Sequence, residues 1–461
     1  MTFAADVIEP VLVPGPPPAR PLRGREAKVP QTEFLRTLPL DVYEQPVRLM
    51  KNIFGDVLMV NDPEGVKRVL FDNVANYPKT AMEKRFFSML FGNGLLSSDG
   101  ETWRTHRRAM APAFDIRSIE SYAPAMAGCA ETFLARNWDT RPDGAEIDVA
   151  EDMLSVTLQI ISRTMFSTDS DEIVEEVSRT MAAALQVRPR IVEIIPVIGE
   201  YFLRQHEKEE ARIFTRLDDL VTRFIAEREA QMRAGAAPND LLGRLIAARD
   251  AETGAAMTAR EVRDQMLTIF LAGHETTAVT LTWAFYVLSQ RPAVAARLRA
   301  ELDQVLGGRS PTFADVASLP YTRAVIDETL RLYPAAPALS TRQAVRDDVI
   351  AGHKVRAGAL VAVFPWVLNR HRGLWDNPEV FDPDRFIPSN TAERRRFAYI
   401  PFGGGPRICI GMQMALAESV ILLAALAQRY DLDLAPGQTV RLRHQITLRP
   451  EGGLRMQLRR R

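Results

Sequence analysis

One cysteine, placed at the end of a segment rich in glycine and proline, constrains this chain more than any other feature. The segment from Phe402 to Gly411 reads FGGGPRICIG, and a run of helix formers from Met412 to Leu423 follows it. Gly and Pro exclude a helix or a central strand before Cys409. Arg407 and the dipole of the following helix both favour the thiolate. Such a thiolate can be a nucleophile, a zinc ligand or an axial ligand of haem iron.

Composition narrows the class of protein. The chain has 461 residues, 46% of them hydrophobic, and 58 charged residues of each sign, so nothing indicates a nucleic-acid partner. It has only two cysteines, which excludes a disulfide scaffold and any four-cysteine metal site. Cys129 lies in a helical pattern and is predicted to be a core residue. A reducing, cytoplasmic setting fits this cysteine usage best.

The chain is predicted to be mainly α, with one large helical domain and small β-sheets. Residues 1–25 are Pro-rich and indicate an extended N-terminal arm, and 26–461 form the domain. No signal peptide is expected from the N-terminal residues, and no transmembrane helix is expected because no window is long and apolar enough. Short strands are expected at Val57–Val60, at 348–354 and 360–367 within the region 340–400, and near 439–448 and 453–458.

The longest helical pattern begins at a capping box formed by Thr258 and Glu261 and runs to about Gln290. At about 1.5 Å per residue it spans roughly 50 Å. Residues 272–277 in its middle read AGHETT, and Gly, an acid and two hydroxyls at one point suggest a distorted helix. Taken alone, these residues are better explained by close helix packing at the Gly and by hydrogen bonds from the Thr side chains to their own backbone. A zinc-hydrolase motif is excluded because Ala278 stands where the second His is needed.

Several charged residues upstream of the cysteine are candidates for buried or functional positions. Glu328 and Arg331 share a helix face, which by default is a surface pair, although with Arg385 they could form a buried cluster. Trp103 and Arg107 also share a face, and an amphipathic helix with a basic side explains them. Arg342 could be any strand arginine, and His106 is expected to be exposed.

Taken together and in order, these segments resemble the cytochrome P450 family of haem-thiolate monooxygenases, from about residue 40 to the C-terminus. The cysteine loop carries the strongest part of the resemblance. Residues 272–277 are similar to the oxygen-activation motif of the family. Its structural triad is matched by Glu328, Arg331 and Arg385, and its haem-propionate motif by Trp103 and Arg107. Two positions depart from the usual pattern with the charge kept: Asp384 stands where many members have Glu, and Glu275 where many have Asp.

The resemblance implies a role for each site residue. Cys409 would be the thiolate ligand of a non-covalently bound haem b, in the loop that includes Phe402 and Gly411. Ala272 and Gly273 would leave space for dioxygen, while Thr276 and Glu275 would deliver protons. The two haem propionates would be held by Trp103, Arg107, Arg342 and Arg407. On this interpretation Cys409 is neither nucleophile nor zinc ligand, since no base and no companion ligands accompany it.

The resemblance also implies the reaction and its partners. The enzyme would insert one oxygen atom from O2 into a hydrophobic substrate (a lipid, terpenoid or hydrocarbon), because the substrate-facing segments 86–91, 191–203 and 335–339 are apolar. Segment 194–198 could also touch a membrane surface. A peroxygenase of the same fold and a non-catalytic haem sensor remain alternatives.

Electrons are expected from separate proteins, because no flavin or iron–sulfur module follows residue 461. A ferredoxin or flavodoxin with its NAD(P)H reductase would supply them to a monomer without a membrane anchor. The partner is expected to dock near Arg104 and Arg108.

Overall fold

The computed structural model of the protein describes residues 35, 38–50, 56–167, 215, 218–392, 394–444 and 446–461. The Pro-rich arm 1–25 and segment 191–203 lie outside these residues. Residues 218–233 are helical. The other α-helices described are α1 Pro63–Lys67, α2 Ala81–Phe91, α3 Gly100–Met110, α4 Ile116–Phe133, α5 Val149–Phe166, α6 Leu241–Ala247, α7 Ala259–Gln290, α8 Pro292–Leu306, α9 Pro320–Leu332, α10 Pro365–Leu368, α11 Pro388–Thr391 and α12 Met412–Ala427.

The strands are short and form four separate sheets. Their bounds are β1 Val47–Met50, β2 Val57–Val60, β3 Glu146–Asp148, β4 Arg342–Gln343, β5 Asp348–Ile350, β6 His353–Val355, β7 Leu360–Ala362, β8 Tyr430–Leu434, β9 Leu442–His444, β10 Leu448–Pro450 and β11 Arg455–Arg460. The largest sheet has the order β1-β2-β7-β4, and the others are β3-β11-β8, β10-β9 and β5-β6. In the largest sheet β2 pairs in parallel with β7, while β1 pairs antiparallel with β2. The predicted mainly helical fold with small sheets is confirmed.

Local sequence signals explain where the longest helix begins and ends. The Thr258 hydroxyl accepts a hydrogen bond from Glu261 N at 3.2 Å, and the Glu261 carboxylate accepts one from Thr258 N at 2.8 Å. This reciprocal capping box satisfies two donors of the first turn. Helix α7 then continues without a break to Gln290, before Pro292 opens α8. The expected distortion near residues 272–277 does not appear as a change of helix type.

The described chain divides into two compact units that alternate along the sequence. The first unit comprises the described parts of Met1–Pro78, Met126–Val156 and Glu275–Arg461. It contains every strand named above and helix α12, which is buried almost all round from Leu416 to Ala427. The largest sheet of this unit packs on an aliphatic cluster that includes Val60, Val66 and Val361.

The second unit comprises Lys79–Ala125 and the described parts of Thr157–His274, and it is helical. Its packing includes Phe166 stacked on Phe224, with ring centroids 4.4 Å apart. Arg228 is buried there and donates to Phe166 O at 3.0 Å while contacting Asp240. Burial of this guanidinium is compatible with the fold because a carboxylate and a carbonyl both satisfy it.

One predicted strand was too long. The apolar run 360–367 was predicted to be strand throughout, but β7 ends at Ala362 and α10 begins at Pro365. Proline lacks the N–H that a sheet needs and fits the first turn of a helix. Cys129 is buried, as predicted.

Candidate functional site

The cysteine loop has a backbone that only glycine readily adopts. Gly403 has φ +74° and Gly405 has φ +66°, both in the left-handed region. A Cβ on Gly405 would lie 1.8 Å from the carbonyl oxygen of Leu70. Any residue with a side chain would therefore clash with the backbone of Leu70 at this position. Cys409 N donates to Phe402 O at 2.9 Å and closes the loop. The loop is therefore held in one shape by backbone contacts.

The loop places Cys409 outside the core. Cys409 is the exposed cysteine of the chain, and helix α12 begins three residues later at Met412. Arg407 ends a single turn of 3-10 helix, Gly405–Arg407, and Gly411 is the N-cap of α12. A Cβ on Gly411 would meet no atom of the described residues within 4 Å, so these residues leave space beside Gly411.

Arg342 lies in strand β4 of the same unit and is only 6% exposed. Strand β4 pairs with β7 through Arg342 and Val361. The donor set of this unit fits a haem, since it offers one exposed thiol for the iron and guanidinium groups that suit propionate carboxylates. The residues present are therefore compatible with the cofactor implied by the resemblance.

Helix α12 carries a buried carboxyl group after the cysteine. Glu418 is 4% exposed, and its Oε1 atom has no hydrogen-bond partner among the described residues. Burial raises the pKa of Glu418 to about 8, because removal from water disfavours the charged form. This group is therefore largely neutral near pH 7.

The acid of the motif at residues 272–277 has partners that no local pattern in the sequence indicates. Glu275 is buried, and its Oε1 atom accepts a hydrogen bond from Arg449 Nε at 2.9 Å. The Thr447 hydroxyl and the terminal NH2 of Arg449 contact the same oxygen. Thr276 follows Glu275 on α7, so the acid and the alcohol are adjacent in a continuous helix.

Glu328, Arg331 and Arg385 form a buried cluster. Glu328 and Arg331 have fully buried side chains and form two bonds, 2.6 Å from Nε to Oε2 and 2.7 Å from NH2 to Oε1. Arg385 Nε lies 3.6 Å from Glu328 Oε1. Burial raises the pKa of Glu328, against the attraction of Arg331. The structure therefore brings the three residues together, and a surface role for Glu328 and Arg331 is excluded.

Arg331 connects this cluster to the chain that precedes the cysteine loop. Its guanidinium donates to the carbonyl oxygens of Asn369, Pro378 and Val380 at 2.9, 2.6 and 2.8 Å. Asp382 N donates to Glu328 Oε1 at 2.8 Å. Asp384 instead contacts Arg297 through two bonds of 2.8 and 2.9 Å. The buried pair thus fixes the position of residues 369–382.

The remaining predicted residues lie in the second unit. Trp103 and Arg107 are one turn apart on α3, and Ala272 and Gly273 are in α7. A Cβ on Gly273 would lie 3.2 Å from the side chain of Ile161, so this glycine permits close packing within the unit.

His106 was expected to be exposed, and this prediction was wrong. It is 4% exposed, with Nε2 3.2 Å from Glu261 Oε1 and Nδ1 3.0 Å from Gln265 Nε2. Gln265 Oε1 accepts from Leu95 N at 2.9 Å, so its amide nitrogen faces the imidazole. The ring therefore accepts at Nδ1 and donates at Nε2. The basic residues around His106 in the sequence concealed this buried role.

Both arginines expected at the partner docking face contact carboxylates. Arg108 donates to Asp250 at 2.7 and 3.1 Å, and it holds the pKa of that carboxyl well below its usual range. Arg104 is 53% exposed and contacts Glu101. Arg108 therefore stabilises the fold of its unit.

No helix among the described residues is long and apolar enough to cross a membrane. Two of the three segments predicted to face substrate can be located. Residues 86–91 belong to α2, with Phe86 and Phe87 partly buried. Ala335 and Pro337 are buried in the first unit.

Comparison with known proteins identifies the class of this site. The family model described as cytochrome P450 matches residues 14–456. Cyclooctatin synthase of Streptomyces melanosporofaciens is 35% identical over 86% of this chain and 84% of its own. From the same organism, cyclooctat-9-en-7-ol 5-monooxygenase is 33% identical over 88% of this chain and 86% of its own. The crystal structure of the cytochrome P450DA haem domain superposes with a TM-score of 0.78 at 29% identity, covering 90% of each chain.

These matches span nearly the whole chain and agree with the cysteine loop described above. The family uses haem with a cysteine thiolate on the iron, together with dioxygen and redox partners. Carotene epsilon-monooxygenase of Arabidopsis thaliana is a further relative, 30% identical over 87% of this chain and 77% of its own. The chain belongs to the cytochrome P450 family and is a P450 monooxygenase.

Proposed function

We propose that this enzyme inserts one oxygen atom from O2 into a hydrophobic organic substrate, with a terpenoid as the first class to test. The names of two relatives contain cyclooctat-9-en-7-ol and carotene, both built on hydrocarbon skeletons. The apolar residues of segments 86–91 and 335–339 support the same class. The observation that carries the reaction type is the adjacent acid and alcohol, Glu275 and Thr276, on α7.

In this proposal Cys409 binds the iron of haem b. Arg342 and Arg407, with Trp103 and Arg107, bind the propionates. The bound haem supplies the activation of dioxygen. Glu275 and Thr276 supply protons, while Ala272 and Gly273 leave room beside the helix.

The decisive experiment is the spectrum of the reduced, carbon-monoxide-bound protein. We expect the red-shifted Soret band of a thiolate-ligated carbonyl, and its loss in Cys409→Ala. Absence of haem uptake by the natural chain would overturn the proposal. Substrate class is then tested by spin-state titration with carotenes, cyclic terpene alcohols and fatty acids, of which the terpenoids should bind most tightly.

A peroxygenase is the main alternative, and Thr276→Ala distinguishes it. In a monooxygenase this variant keeps haem but converts more of the consumed O2 to hydrogen peroxide. In a peroxygenase only peroxide drives turnover, whichever redox partner is supplied. A haem sensor would show neither reaction.

We propose a separate ferredoxin or flavodoxin, with its NAD(P)H reductase, as the electron source, in the reducing setting of the cytoplasm. Because Arg108 stabilises its own unit, the surface beside the cysteine loop is the better docking face. Phe71 is 45% exposed there, and its Cα lies 3.4 Å from the Cβ position of Gly405. The Arg396 guanidinium lies 5.7 Å from the Phe71 ring centroid. An apolar anchor beside a cation suits an acidic partner.

The docking face is tested with Arg396→Glu. We expect slower reduction by ferredoxin with unchanged haem content and a steeper loss at low salt. Arg233→Glu is the matched control, since Arg233 is 72% exposed on the helix 218–233 of the other unit. Equal effects of the two variants would contradict this face.

A further inference from the structure

Two residues of the C-terminal hairpin contact the buried acid of helix α7. Thr447 and Arg449 flank Leu448 of strand β10, so both side chains lie on one face of the strand. Both contact Oε1 of Glu275, with Arg449 Nε at 2.9 Å. The same Arg449 Nε lies 3.2 Å from the Thr447 hydroxyl oxygen. The three side chains therefore form one connected polar group.

The hairpin is fixed on the helix by its backbone as well. Trp283 Nε1, two turns after Glu275 on α7, donates to Leu448 O at 2.7 Å. Leu448 N donates to Ala335 O at 3.1 Å. Because both backbone groups of Leu448 are hydrogen-bonded, the backbone that carries Thr447 and Arg449 stays beside Glu275.

Burial differs strongly between the two ends of this group. The Glu275 side chain is 9% exposed, whereas that of Arg449 is 34% exposed. The contacts that Thr447 and Arg449 make with the carboxylate all go to Oε1. The arrangement places a partly exposed cation beside a buried carboxylate, and all of these contacts involve one carboxylate oxygen, Oε1.

We propose that Arg449 and Thr447 are positioning residues for proton delivery, which hold the Glu275 carboxylate in the orientation that its role beside Thr276 requires. This inference rests on the proposed function, because it gives Glu275 a role in oxygen chemistry. Arg449 compensates the buried negative charge, and Thr447 fixes which oxygen it contacts. The partly exposed side chain of Arg449 marks where solvent protons reach the group.

The hairpin offers a matched control. Arg443 of strand β9 pairs directly with Arg449 across the hairpin, and it is not among the described residues that contact Glu275. Arg443→Gln removes a positive charge from the same hairpin. Arg449→Lys and Thr447→Ser are the conservative variants.

The first measurement needs no catalysis. A double-mutant cycle of Glu275→Gln with Arg449→Gln, followed by urea unfolding of the haem-loaded protein, should give a coupling of at least fivefold in the folding equilibrium constant. The cycle with Arg443→Gln should give none. Absence of coupling in the first cycle would overturn the positioning role.

The second measurement separates positioning from mere packing. With NADPH, ferredoxin and reductase but no added substrate, the fraction of consumed O2 released as hydrogen peroxide reports proton delivery. We expect Arg449→Gln and Thr447→Val to raise this fraction severalfold and to change the solvent isotope effect on O2 consumption. Arg449→Lys should restore much of the natural value, and Arg443→Gln should match it.

Failure of the positioning role can be distinguished from failure of the proposed function. Loss of stability in Arg449→Gln with an unchanged peroxide fraction and isotope effect would overturn the inference, as would an equal shift in Arg443→Gln. If Arg449→Gln does not fold, Thr447→Val and Arg449→Lys decide by the same readouts. Absence of a thiolate carbonyl band would overturn the proposed function, while the unfolding cycle would still decide whether Arg449 positions Glu275.

Discussion

Two glutamate–arginine pairs in the same unit differ in how they satisfy a buried carboxylate. In the sealed pair, Glu328–Arg331, both side chains are fully buried and both carboxylate oxygens are bound. In the open pair, Glu275–Arg449, the arginine contacts one oxygen of the acid and is 34% exposed. The sealed pair joins residues three apart, and the open pair joins residues 174 apart.

This difference in burial distinguishes a purely structural ion pair from one whose arginine can also bind water. Arg331 also donates to three backbone carbonyl oxygens. Separating Arg331 from Glu328 would therefore leave several buried polar groups without hydrogen-bond partners. Arg449 can exchange Glu275 for water, because part of its side chain already reaches solvent. The same two residue types therefore form a sealed pair that fastens a loop in one place and a partly solvent-exposed pair in another.

Breaking the sealed pair should have the largest effect. Glu328→Gln leaves the Arg331 charge buried without its partner, which costs about 3–5 kcal/mol of unfolding free energy. Urea unfolding followed by circular dichroism measures the loss. The control is Arg459→Gln, in a pair whose side chains are 47% and 59% exposed. Similar losses in both variants would mean that the pair does not fasten the loop.

The buried carboxyl group of Glu418 comes next, since burial alone raises its pKa. The pKa of Glu418 is about 8 in the folded protein against an ordinary value of 4.5, so its stabilising contribution is complete below pH 4.5 and is lost as pH rises through 8. Glu418→Gln removes this loss. We expect equal stability of variant and natural protein near pH 5 and a gain of roughly 3 kcal/mol for the variant near pH 8. Parallel stability curves across this pH range would contradict the raised pKa.

The open pair should show a smaller, salt-dependent effect. Arg449→Gln is expected to cost about 1–2 kcal/mol at low salt, as for a hydrogen bond to a charged group. At roughly 1 M salt, where the Debye length is ~3 Å, the loss should shrink, while that of Glu328→Gln should not. Unfolding of both variants at the two salt concentrations makes the comparison. Equal salt dependence would remove the distinction between sealed and open pairs.

The smallest effect is expected for a pair at the surface. Arg297 and Asp384 form two good hydrogen bonds, but their side chains are 53% and 41% exposed. Asp384→Asn should change stability by at most about 1 kcal/mol. A loss comparable to that of Glu328→Gln would show that solvent exposure does not set the contribution of these pairs.

Contacts between residues close in sequence could be predicted, and distant ones could not. Helical spacing correctly predicts that Glu328 and Arg331 share one face, and the capping box correctly predicts the turn at which α7 begins. Arg449 carries no local signal for Glu275, because their contact depends on how a hairpin packs on a helix. The prediction for His106 failed for a related reason, since its partner Glu261 lies 155 residues away.

The cysteine loop shows what glycine in a sequence can and cannot reveal. The glycines and the proline predicted that this segment is neither a helix nor a central strand, and the structure adds that Gly403 and Gly405 have left-handed backbone angles. That Gly405 must also make room for Leu70 could not be predicted, because Leu70 belongs to another part of the chain. Proline at 365 did carry a local signal, and it should have ended the predicted strand earlier.

The parallel pairing of β2 with β7 has a consequence for synthesis of the chain. The paired residues are about 300 positions apart, so at roughly 5–20 residues per second β7 leaves the ribosome about 15–60 s after β2. Until then β2 has an unpaired edge that other chains can bind. A nascent chain arrested before residue 360 would lack the strand between β2 and β4. The yield of this protein should therefore depend on chaperones that bind the nascent chain during that interval.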